Sequence, residues 1–158
     1  MTTGLTVAPA VRSKEFHFPV SVEWVGGRRV VARVDGKHGV GVAPPTVFRG
    51  ADPTVWSPED FFVAAAASCL AITFTGLAEK AGLAYTRLTV DADGVCGARH
   101  DGKFGFTRVT MALDVETAPS DANLARELAE EAESKCLVAA SFDLPVETSI
   151  DVRSRAVA

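Results

Sequence analysis

Between residues 16 and 24, apolar Phe16, Phe18, Val20, Val22 and Trp24 alternate with His17, Pro19, Ser21 and Glu23. This is the period of two that a strand with one buried face requires. Pro19 has no N–H to give to a ladder, which puts that strand at a sheet edge. Gly26-Gly27 reads as a hairpin turn into a second strand, Arg29 to Asp35, and Gly36 to Gly39 as another turn, so the chain opens with a small β-meander. From Ala43 to Trp56 no period is sustained, and Pro44, Pro45, Gly50 and Pro53 interrupt the segment. It is expected to be a loop, and loops of this length often carry function.

The pattern then changes. Ser57 supplies an N-cap, Pro58 the first helical position, and Glu59 and Asp60 an acidic first turn; Gly82 supplies the stop, so a helix is predicted to run to about Ala81. Between Phe61 and Leu77 this helix is apolar nearly all round, and a helix without a polar face must be enclosed on every side. One layer of sheet in a chain of 158 residues cannot do that, so a dimer with a shared core is expected. Farther on, Thr86 to Val95 and Phe104 to Val115 read as strands joined by the turn-rich stretch Gly97 to Gly102. Ser120 is expected to cap a second helix in which Leu124, Leu128, Ala132 and Cys136 recur every fourth residue, directing Cys136 inward. Val146, Thr148, Ile150 and Val152 alternate in a final strand after Pro145, and the ends, Met1 to Ser13 and Arg155 to Ala158, are expected to be loose. The elements add up to an α+β fold in one domain over residues 1–158. Its parts are an N-terminal β-meander and loop (14–56), a central helix (57–81), and a β-hairpin, second helix and final strand (86–153).

Composition narrows the function. With 47% hydrophobic and 23% charged residues the chain is globular, and a formal net charge of −4 gives no electrostatic reason to meet nucleic acid or an anionic membrane. Met1 to Ala10 lacks the pattern of a signal peptide, which points to the cytoplasm. The uncharged run from Phe61 to Leu77 carries Ser68, Cys69, Thr73, Thr75 and Gly76 and meets Glu79-Lys80 at once. It reads as too short and too mixed for a membrane span, which needs about 20 apolar residues. His17, His38 and His100 are scattered without ligand spacing, and no glycine-rich phosphate loop is present, so neither a metal nor a cofactor is expected.

Three cysteines remain: Cys69, Cys96 and Cys136. Their odd count and wide gaps fit neither a disulfide scaffold nor a zinc site. A free cysteine in a helix is more often an inert small hydrophobe than a nucleophile, and taken alone each of these reads that way. Their setting is more specific. Arg49, then Ser57-Pro58-Glu59, then Cys69 in a long apolar helix, then Cys136 before an alternating final strand, resembles the OsmC/Ohr family over about residues 14 to 153. Arg49 precedes Glu59 by ten positions and Glu59 precedes Cys69 by ten, the spacing of the OsmC branch. The family's usual aromatic after the first cysteine and proline after the second are here Leu70 and Leu137.

The resemblance implies an interlocked homodimer of antiparallel sheets and two main helices, with active sites at its interface. It implies a thiol-dependent peroxidase in which Cys69 attacks an organic hydroperoxide, Cys136 resolves the product to a disulfide, and a small dithiol or lipoyl-type reductant restores both. Only a thiolate is nucleophilic, and a guanidinium beside sulfur favours the anion; Arg49 has that part, with Glu59 holding the guanidinium in its planar geometry. Arg28, in the turn of the first hairpin, is the rival, because the Ohr branch draws its arginine from there. Without that context, Glu59 would merely complement the helix dipole and Arg49 would be solvated. Ten helical residues rise about 15 Å, so Glu59 cannot reach Cys69 along one straight helix; a composite site across the dimer is one answer. Trp56, Phe61, Phe62 and Phe74 are apolar candidates for favouring a greasy peroxide, and Cys96 reads as structural. Two other readings stay open: a cysteine hydrolase or acyl-transfer enzyme, which would need a histidine base, and a stress-associated dimer that binds a ligand or senses redox state.

Overall fold

In the computed structural model, residues 14–154 are described. The two ends read as loose, 1–13 and 155–158, lie outside the described residues. Gly26 and Gly27 turn the chain at φ 123° and 57°, where a side chain is strained. They join β1 (Ser21–Gly26) to β2 (Arg29–Arg33) in an antiparallel hairpin. A short β3 (Val40–Val42) pairs with β2, giving a sheet in the order β1-β2-β3. Three residues show no period, so the sequence pattern misses β3. The strand expected from Phe16 begins only at Ser21, and β1 does lie at the sheet edge. Its apolar face, read as buried, is uncovered in a single chain: Phe18 is 83% exposed and Trp24 71%.

α1 (Pro58–Ala81) has the ends its local chemistry demands. The Ser57 hydroxyl accepts from the Asp60 N–H at 3.1 Å, and the Asp60 carboxylate accepts from the Ser57 N–H at 2.7 Å. Gly82, at φ 70°, closes the helix in the left-handed region. By length and composition α1 could cross a membrane, contrary to the reading of Phe61 to Leu77 as too short and too mixed. Within the chain only one stripe of it is buried: Ala66, Leu70, Phe74 and Ala78 pack against neighbouring elements. Ile72, on another face, is 69% exposed.

β4 (Tyr85–Ala98) and β5 (Phe104–Thr117) form a long antiparallel hairpin. β6 (Val146–Ser154) adds on the far side of β5 and runs parallel to it, not antiparallel as expected. The cause is topological: α2 (Ala122–Ser134) carries the chain back between β5 and β6, and such a crossover restores strand direction. Register aligns the apolar residues in rows, Leu88–Val115–Val152 and Val90–Leu113–Ile150. These rows belong to one core with the buried stripe of α1 and with Ala125, Leu128, Ala129 and Ala132 of α2. Leu124, expected on that stripe, lies at its margin with 36% exposure. Ser120 is not the cap: it sits in a 3-10 turn (Pro119–Asp121) and its hydroxyl bonds to Asp121 Oδ1 at 3.2 Å. Asp121 takes the capping position without a side-chain bond.

Candidate functional site

α2 stops at Ser134, short of Cys136. The N–H groups of Lys135 and Cys136 close its last turn on Glu131 O (3.1 Å) and Glu133 O (3.2 Å). The chain restarts as the short α3 (Leu137–Ala140), with Cys136 as its N-cap and Ala140 N–H to Cys136 O, 3.0 Å, as its first internal bond. This break turns Cys136 into the core, where it is 1% exposed and its Sγ lies 3.9 Å from Ala66 O on α1. Ala66 is one turn before Cys69, so the two cysteines meet. Cys69 itself is half-buried.

The two thiols have opposite proton affinities. Burial works against ionising Cys69, but the Val138 N–H, the Cys136 thiol, the Leu137 N–H and the Thr73 hydroxyl together hold its thiol below the ordinary value. Cys136 goes the other way: burial, the hydrogen bond it gives Cys69 and repulsion from that sulfur raise it, against opposing N–H bonds from Ala139 and Val138. Cys69 is thus the first to lose its proton, and Cys136 the one that keeps it. Thr73, which the sequence reading passed over, also gives its hydroxyl to Cys69 O at 2.8 Å. Its position one turn beyond Cys69 was the available signal.

Arg49 and Glu59 do not join this pair within one chain. Glu59 stands in the first turn of α1, about 15 Å along the axis from Cys69. Its Oε2 is buried with no hydrogen-bond partner among the described residues. Glu59 lines a cavity of about 330 Å³ with Arg28, Phe48 and Pro58, and a larger one of about 840 Å³ with Phe48, Cys96, Phe104 and Phe106. Arg49 is exposed and meets its rival through the backbone, since Arg28 Nη1 donates to Arg49 O at 2.9 Å. Gly50 stands at φ 84°, where a side chain is strained, and a Cβ there would also lie 2.7 Å from Arg28 Cδ and have to displace that side chain. The loop is also tied by the Arg29–Asp52 ion pair. Asp52 Oδ1 accepts from the Thr54 N–H (2.9 Å) and hydroxyl (2.6 Å), and these bonds with Arg29 hold its carboxyl below the usual range.

Cys96 lies in β4 beside a bulge between Val95 and Cys96, and it is exposed. Partial burial and the nearby Glu59 carboxylate keep its thiol above the ordinary value. No local pattern signals that Glu59 and Cys96 are neighbours. Of the four aromatics proposed for substrate, Phe74 is fully buried and belongs to the core, packing edge-on against Tyr85 with ring centres 5.6 Å apart. Phe62 is sandwiched between Phe106 and Phe142, at 4.2 and 4.3 Å. Trp56 and Phe61 stack at 5.4 Å, and Trp56 is half exposed.

Comparison with known proteins agrees with the fold. A family model described as "OsmC-like protein" matches residues 51–151. A Bacillus subtilis relative, the uncharacterized protein YmaD, is 24% identical over 142 residues, covering 87% of this chain and 93% of its own. An OsmC-like protein of unknown function from Vibrio cholerae superposes with a TM-score of 0.77 at 23% identity, covering 86% of this chain and 99% of that one. An organic hydroperoxide resistance protein from Elizabethkingia anophelis superposes with a TM-score of 0.69 at 22% identity, over 90% of this chain and 99% of that one.

Proposed function

The chain belongs to the OsmC-like protein family, and from that premise we propose that it is a thiol-dependent peroxidase acting on organic hydroperoxides. The observation that carries this reading is the meeting of Cys69 and Cys136 with opposite proton affinities. A thiol held below its ordinary pKa is the nucleophile that peroxide cleavage needs, and a protonated thiol beside it is the partner that a sulfenic acid consumes. The Cys69 thiolate attacks the distal oxygen of the hydroperoxide. The O–O bond breaks, the alkoxide leaves and takes a proton as the alcohol, and Cys69 becomes a sulfenic acid. The Cys136 sulfur then attacks that of Cys69, a disulfide forms and water leaves. An external dithiol, of small or lipoyl type, returns both cysteines by exchange. A cytoplasmic location is part of the proposal, because a reducing compartment maintains that supply.

The proposed protein is a homodimer with composite sites. The loop carrying Arg49 and the α1 start carrying Glu59 would come from one subunit, and the cysteine pair from the other. Support comes from the buried, unpartnered Glu59 Oε2, which needs a donor, and from the uncovered apolar face of β1. Arg49 is proposed as the activating cation and Arg28 as the brace of its loop. Turnover of tert-butyl hydroperoxide with dithiothreitol, compared with hydrogen peroxide, tests the function. Faster consumption of the organic peroxide with stoichiometric thiol oxidation is expected. Absence of turnover with either peroxide, in folded protein with reduced cysteines, would remove the proposal.

A further inference from the structure

α3 has only four residues, Leu137–Ala140. A helix that short is not stable by itself in water, so its place against α1 is set by what holds its two ends. At the front end Cys136 is buried, with Sγ 3.9 Å from Ala66 O. At the back end the Phe142 N–H closes the last turn on Ala139 O at 3.2 Å, and the Phe142 ring stacks on Phe62, with ring centres 4.3 Å and planes 10° apart. Phe62 and Ala66 stand one turn apart on one face of α1, and Cys69 follows in the next turn. Both anchors of α3 therefore rest on the stretch of α1 that leads to Cys69.

Phe62 is itself fixed, because its other face lies against Phe106 of β5 at 4.2 Å and 14°. Gly94 on β4 leaves space for this packing: a Cβ there would come 2.7 Å from Phe106 Cε1 and 2.5 Å from Val63 Cγ2. Phe106 and Phe142 also border a cavity of about 650 Å³ with Arg99 and Leu144, so the chain after α3 has room to shift once the stack is lost.

We propose that Phe142 is a positioning residue for the resolving step: by stacking on Phe62 it ties the chain after α3 to α1 and so sets how the Cys136 sulfur meets that of Cys69. This inference rests on the reading of Cys69 and Cys136 as a disulfide-forming pair and deepens it. A disulfide tolerates only a narrow range of Cβ separations and dihedral angles. A sulfur on a loosely held segment is seldom in that range, whereas one anchored at both ends of a short helix stays near it.

Exchange with glutathione reads this positioning directly. Glutathione disulfide oxidises the pair in two exchange steps, and two glutathione thiols are released for each Cys69–Cys136 bond formed, taking up the protons the two cysteines lose. In a Cys96→Ser background, the ratio of oxidised to reduced pair across glutathione buffers, measured by mass spectrometry after alkylation, gives the equilibrium constant. Phe142→Leu is expected to lower it about two- to tenfold, the effect of losing one stacked aromatic pair. Phe142→Tyr keeps the ring and should stay near the wild-type value. Val115→Ala, buried in the same core but at the far end of β5, should lose stability and leave the constant unchanged. An unchanged constant in folded Phe142→Leu, or an equal fall in Val115→Ala, would overturn the proposal, as would a wild-type protein that forms no Cys69–Cys136 bond. If Phe142→Leu does not fold, Phe142→Met, which fills more of the ring's volume, takes its place with the same outcomes. None of these buffers contains peroxide, so a normal glutathione equilibrium without peroxide turnover would count against the peroxidase reading and not against the role of Phe142.

Discussion

Cys69, Cys96 and Cys136 occupy three different environments, and residue chemistry alone separates their expected roles. Cys69→Ser should abolish peroxide consumption, because a serine hydroxyl is too weakly acidic to replace a thiolate. Cys96→Ser should leave the rate nearly intact, since the Cys96 thiol is held above the ordinary value and has no part in the proposed chemistry. In Cys136→Ser one turnover should still occur, after which the sulfenic acid persists and over-oxidises; mass spectrometry after one equivalent of peroxide would detect it. The pH dependence follows from the directions of the two shifts. Cys69 is held below an ordinary thiol, so its reaction with iodoacetamide should rise with pH and level off below the range in which a free thiol does. Cys136 is held above, so it should stay protonated across that window and react only at higher pH. A single plateau shared by both thiols would contradict the assignment.

At the scale of elements, α1 is the member on which the site depends, and its ends and its buried stripe contribute separately. Ser57→Ala removes the hydroxyl that accepts from Asp60 N–H, and should cost about 1 kcal/mol in urea unfolding. Phe74→Ala empties a fully buried position in the core and should cost about 3–5 kcal/mol. Ser57 lies about 18 Å along the helix axis from Cys69, so the cap variant should keep its peroxide rate wherever it is folded. The α2–α3 break is the second decisive element, because it brings Cys136 to Ala66 on α1, one turn before Cys69.

For the whole molecule, the decisive feature is apolar surface that one chain leaves uncovered: Phe16, Phe18, Val20, Val22 and Trp24 before and along β1, and Ile72 on α1. Large apolar side chains exposed in such number are expected to be covered by a partner. Sedimentation is therefore expected to give a dimer at micromolar concentration, and Trp24→Glu should weaken it. The composite site makes a sharper prediction. Cys69→Ser and Glu59→Ala, each inactive as a homodimer, should recover partial peroxide turnover when unfolded and refolded together, because a symmetric pair then contains one site with both Glu59 and Cys69 intact. No recovery in mixed dimers would place the whole site within one subunit. Arg49→Ala should slow turnover more than Arg28→Ala; the reverse order would make Arg28, which shares the Glu59 cavity, the activating cation.

How much was legible in the sequence depended on the range of the interaction. The α1 boundaries could be read because Ser57, Pro58, Asp60 and Gly82 act within a turn of the helix they start or stop. The β4–β5 hairpin could be read because period is a property of one short segment; Cys136 is buried as expected, but the break after α2, and not a helical stripe, turns it inward. Ser120 misled because a capping residue is defined by where the helix begins, and the 3-10 turn moved that point to Asp121. The late start of β1, the parallel course of β6 and the nearness of Glu59 to Cys96 came only with the tertiary structure. So did the break between α2 and α3 that brings Cys136 to Ala66. Each of these depends on partners far apart in the chain, and a local pattern of apolar and polar residues states which face is buried without stating what will cover it.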